Sequence, residues 1–111
     1  MPRQQDPTLG AGDLDKRVTL LAPVYNATND EITSYTAVSD VWAMIDPGFG
    51  QEVNEGGRTV ETTIVMVTIR YRTDIDPRWQ IQDHQHLYQI RSIADVARRR
   101  VQLQLTCMEV L

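Results

Sequence analysis

Apolar and polar residues alternate with a period of two over much of the chain, the spacing of half-buried strands. From Thr59 to Arg72, Val65, Val67, Ile69 and Tyr71 share one face, and Met66, Thr68, Arg70 and Arg72 share the other. The density of β-branched residues there suits a pleated sheet. Val101, Leu103, Leu105 and Cys107 alternate with Gln102, Gln104 and Thr106 in a closing strand. Between these two segments the pattern predicts short strands over Trp79–Gln82 and Leu87–Ile93, the second with Tyr88 and Ile90 inward. Ala94–Arg99 is a connector with room for one helical turn. Earlier, a first strand spans Arg17–Ala22 and stops at Pro23. A second spans Val38–Ile45, with Ile32 as its earliest start, and Asp46-Pro47-Gly48 ends it. Pro47 lacks a ladder donor and Gly48 permits positive φ.

About six strands and almost no helix predict an all-β fold, a small antiparallel β-barrel or sandwich. Residues 1–11 read as a flexible N-terminal arm and 12–111 as a single β-barrel domain. Within that domain, 48–58 holds Gly48, Gly50, Gly56 and Gly57 together with Glu52 and Glu55. It reads as an extended, mobile loop between strands two and three. The turns at Asn26–Glu31 and Asp83–Gln85 lack glycine.

One strand breaks the half-buried pattern. Val41-Trp42-Ala43-Met44-Ile45 is apolar on both faces. One face serves the core, and the other must meet the N-terminal arm, a folded-back loop or another subunit. Trp42 is therefore either a core residue or an interface residue.

Composition narrows the function. The chain has 11 Lys and Arg against 15 Asp and Glu, a formal net charge of -4. A strongly basic nucleic-acid-binding domain is excluded on that balance. Hydrophobic residues make up 41%, enough for a modest core in a chain of 111 residues. No apolar run approaches the ~18 residues of a membrane span. The polar start shows no secretory signal. Cys107 is the single cysteine, so no intrachain disulfide or cysteine zinc cluster forms.

Candidate chemistry is sparse. His84 and His86 form a His-x-His pair beside Asp83, but at a hairpin tip and with no further ligand in view. Cys107 lies on the inward face of the last strand, as a buried and inert thiol does. Glu52 and Glu55 sit in a glycine-rich segment that holds no rigid geometry for acid–base work. No catalytic residue, metal site or cofactor is expected. Arg98-Arg99-Arg100 is the one basic run, joined by Arg70, Arg72, Arg78 and Arg91 if the strands bring them together. It is a solvated face with partners such as Asp74, Asp76 and Asp95, or a patch for an acidic protein surface or phosphates. Phe49, the only phenylalanine, is an interface anchor or tucks onto the barrel end.

The order of these segments resembles the head–tail joining (head-closure, or stopper) proteins of tailed bacteriophages. The residues that carry the likeness begin with Gly12-Asp13-Leu14-Asp15-Lys16-Arg17-Val18-Thr19-Leu20, then Val41–Pro47 and Gly50-Gln51-Glu52. Val67–Arg72, Pro77, Tyr88–Ile93 and the closing strand to Cys107 and Glu109 complete it. The resemblance implies a small β-barrel that forms a ring of roughly 6 or 12 copies with itself. It implies a place in the virion neck, after synthesis in the bacterial cytoplasm. The portal and adaptor ring would lie above, and the tail terminator and tail tube proteins below. Packaged DNA would pass through without sequence-specific binding, and no membrane is involved. Under this reading Trp42, Met44, Phe49, Gln51, Glu52, Glu55 and Arg58 form the interface and loop set, and Arg98, Arg99 and Arg100 face a partner. Glu52 and Glu55 are expected to face the channel or the adaptor. The alternative is an OB-like barrel that binds single-stranded nucleic acid through exposed aromatics on a basic sheet. The negative charge and the absence of aromatics alternating with Lys or Arg oppose it.

Overall fold

The computed structural model describes residues 14–110, with the side chains of 47–49, 51, 53–55, 60 and 61 outside the described set. The expected N-terminal arm, 1–11, also lies outside it. Six strands form: β1 (Lys16–Tyr25), β2 (Ile32–Glu55), β3 (Arg58–Arg70), β4 (Gln80–Asp83), β5 (His86–Asp95) and β6 (Gln102–Glu109). They close an antiparallel barrel in the order β1-β2-β3-β6-β5-β4. The seam that closes it is short: Thr19, Leu20 and Leu21 of β1 pair with Gln82, Ile81 and Gln80 of β4.

The period of two does what it predicts. Val18, Leu20, Val67, Ile69, Ile81, Ile90, Leu105 and Cys107 are buried inside the barrel. Ala43, at essentially zero exposure, is the smallest of these inward side chains and leaves room for its larger neighbours. Trp79 and Tyr88 join the same core.

Several strands outrun their expected ends. β1 continues through Pro23, because its pairing with β4 ended at Leu21 and one side of the ladder is already absent. β2 runs on through Asp46-Pro47-Gly48. The register shifts there, from Asp46 opposite Met66 to Phe49 opposite Ile64, so the Pro-Gly pair makes a bulge instead of a terminus. A second bulge in β2, at Val38, lies between the Leu20–Ser39 and Leu21–Ala37 pairs.

The turn chemistry also differs from expectation. The Asn26–Glu31 turn replaces glycine with asparagine and aspartate. The Asn26 and Asn29 side chains accept from the Thr28 and Glu31 N–H groups at 2.8 and 3.2 Å, and Asp30 adopts φ 59°. The β4–β5 turn puts His84 at φ 53°, a conformation usually left to glycine or asparagine.

Candidate assembly surfaces

The segment 48–58 is not a loop. It is the far end of a β-hairpin built from β2 and β3, with residues in register from Phe49–Ile64 to Glu55–Arg58. The connection is two residues, Gly56 and Gly57, at φ 57° and 79°. Two successive positive φ values give the turn that matches strand twist, and glycine reaches both without strain. Two of the four glycines thus close a turn, and the alternating Thr, Val and Glu around them supply the strands.

β3 pairs with β6 only as far as Ile64–Met108, so Gly50–Glu55 and Arg58–Thr63 pair with each other alone. That two-stranded arm extends roughly 20 Å at the rise of an antiparallel strand. At its root the Thr62 hydroxyl donates to the Glu109 carbonyl at 3.4 Å. Glu52 and Arg58 are exposed on the arm; the Phe49, Gln51 and Glu55 side chains lie outside the described residues.

The doubly apolar strand resolves into two faces. Ala43 is core, and Val41 and Ile45 pack against it. Trp42 points out and keeps 51% of its surface exposed, with Met44 half-buried on the same face. The Arg17 guanidinium lies 5.1 Å from the Trp42 ring centroid, a cation–π contact. Sequence reading missed this pair, because it depends on the register that sets Arg17 opposite Trp42, and no local pattern carries it.

The arginines do not form one patch. Arg70 and Arg72 line a groove with Arg17, Asp40 and Trp42. Arg72 is held in a bidentate pair by Asp74, at 2.9 and 2.7 Å, and donates to Ser39 at 2.8 Å. The hydrogen-bonded pairing with Asp74 raises the Arg72 pKa and lowers that of Asp74. Arg78 and Arg91 line a different hollow, where Arg78 donates to the Tyr25 hydroxyl at 2.9 Å. Arg98, Arg99 and Arg100 stand exposed on the β5–β6 connection, at the barrel end opposite the arm. Ala97, Arg98 and Arg100 all have φ near +55°, each a strained position for a side chain. The Asp95 carboxylate holds this turn by accepting from the Arg100 N–H at 3.0 and 3.1 Å.

The remaining candidates separate. His84 lies in the turn with its side chain 90% exposed, while His86 starts β5 and pairs with Glu109 at 2.9 Å, so the two imidazoles serve different neighbours. Among the described residues no three His, Cys, Asp or Glu side chains gather as metal ligands. Burial pushes the Cys107 thiol up to about 12, which leaves it protonated and inert at neutral pH.

The fold recurs in known structures. One chain of the virion of a native gene transfer agent particle superposes with a TM-score of 0.69 at 18% identity, covering 87% of this chain and 96% of that one. Protein SF1141 from Shigella flexneri 2a, solved in solution, gives 0.59 at 24% identity, covering 91% of this chain and 96% of its own. Both likenesses concern the fold. No curated protein matches the sequence. The phage head completion proteins match over residues 9–110, nearly the whole chain, and this protein belongs to that family.

Proposed function

We propose that the chain forms a ring in the neck of the virion, below the portal and adaptor, where it closes the filled head, helps retain DNA and receives the tail. As a head completion protein it is a structural component of the virion. The observation that carries the finer reading is the hairpin arm. A barrel of this size has no internal need for a 20 Å ribbon that pairs with nothing else, an estimate from strand rise. Such an arm is an element for reaching beyond its own barrel, to a neighbouring copy or toward the channel. Trp42 and Met44, outward on the barrel wall, supply apolar surface for a lateral contact. The charge of -4 suits a conduit that surrounds DNA without gripping its phosphates.

Deletion of Gly50–Gly57 tests this role. The shortened chain is expected to keep its barrel, with a thermal midpoint within about 5 °C of the parent. Particles assembled with it are expected to lose their DNA or remain tailless. Normal infectious particles would contradict the reading.

A further inference from the structure

We propose that the hollow between the β1–β2 hairpin and β5 docks an acidic peptide segment of another protein of the particle, with its carboxylate held between Arg78 and Arg91. The hollow exists because β4 is short. β1 pairs with β4 only as far as Leu21–Gln80, yet β1 and β2 stay paired to Tyr25–Ile32, so their hairpin outruns the closing seam. Pro77, Arg78 and β5 form the opposite wall. The volume is about 400 Å³, and one side is open to solvent. Ile32, Tyr35, Pro77 and the buried Ile90 supply apolar surface. Gln89 fixes the wall, because its side-chain amide donates to the Pro77 and Trp79 carbonyls, each at 3.1 Å.

Charge selects the occupant. The Arg78 N–H donates to the Asp76 carboxylate at 2.8 Å, which fixes the backbone there. Its guanidinium lies 5.8 Å from the Tyr25 ring centroid and donates to that hydroxyl at 2.9 Å. The Arg91 side chain is exposed and makes no hydrogen bond among the described residues. No carboxylate lines the hollow, and neither guanidinium has an ion-pair partner among the described residues. Guanidinium groups with donors to spare, set beside apolar surface, fit a carboxylate, which accepts parallel N–H bonds from the arginine fork. The apolar lining separates a peptide from nucleic acid. A phosphate backbone offers nothing to Ile32, Pro77 and Tyr35, and a chain of net charge -4 repels a polyanion. A segment with carboxylates among apolar residues matches both parts of the surface. As a head completion protein the chain meets other virion proteins, and one of them is the source of the segment. The docking needs the chain to sit in the particle and does not depend on the ring.

The test is zero-length coupling in assembled particles that carry the full chain with Arg91→Lys. A carbodiimide joins an amine to a carboxylate only where the two touch. Lys16 is the one native lysine, so particles of the parent chain report the background. Position 91 is exposed, and the substitution keeps its charge and leaves the barrel intact. Mass spectrometry of the digested particles is expected to show an amide from position 91 to an aspartate or glutamate of a different protein, absent from the parent. Adding Arg78→Gln is expected to lower its yield by about tenfold, the weight of one charge-assisted hydrogen bond. No product at position 91, a product that joins copies of this chain, a yield unmoved by Arg78→Gln, or a product that appears only after nuclease treatment would each overturn the docking and leave the ring reading standing. Particles that lack the chain altogether would overturn both.

Discussion

Trp42 is large, apolar and half exposed, whereas Leu20, on the neighbouring strand, is fully enclosed. Their contributions to stability should differ accordingly. Leu20→Ala opens a cavity in the barrel and should cost about 2–5 kcal/mol. Trp42→Ala removes mainly outward surface and an exposed cation–π contact with Arg17, so it should cost about 1 kcal/mol or less. Urea unfolding of the two variants decides the matter. A large loss at Trp42 would show that the residue supports the fold, and a folded variant that fails to assemble would show that it supports contact between copies. The sequence alone left both readings open, because Val41–Ile45 is apolar at every position and nothing local says which alternate set faces inward. Ala43 decided it. It is fully buried in the core, and the alternation of the pleat then sends Trp42 and Met44 outward.

At the level of elements, alternation along β3, β5 and β6 was legible because each strand is half-buried and the period of two is directly printed in the residues. The inward set Val65, Val67, Ile69, Tyr88, Ile90, Leu103, Leu105 and Cys107 is the core that results. The arm was not legible. Four glycines and a proline within a short window imitate a loop, yet Gly56-Gly57 is a turn and Pro47-Gly48 a bulge. What distinguishes the two cases is pairing between Phe49–Glu55 and Arg58–Ile64, a relation across the turn that composition does not record. The β4–β5 turn misled in the opposite direction, since it forms without glycine at the expense of His84 in a left-handed conformation. His84→Gly should therefore stabilise the protein by up to about 1 kcal/mol, because relief of the left-handed strain exceeds the entropy glycine adds to the unfolded chain. A rise in the urea midpoint is the expected result. A fall would mean that the imidazole makes a contact worth more than the strain.

Taken as a whole, the molecule has two different ends. The hairpin arm, rich in glutamate, leaves one end of the barrel, and the strained turn bearing Arg98, Arg99 and Arg100 caps the other. Strain of this kind persists where surrounding structure enforces it, here through the Asp95 carboxylate, and it fixes three arginines at a tip where an acidic partner can meet them. Electron cryo-microscopy of assembled particles, resolving the neck, tests the ring most directly. The expected result is a closed ring of this chain between the portal side and the tail, with each arm reaching beyond its own barrel to a neighbouring copy or toward the channel. A neck in which this chain is present as isolated barrels, with no contact between neighbouring copies, would contradict the account.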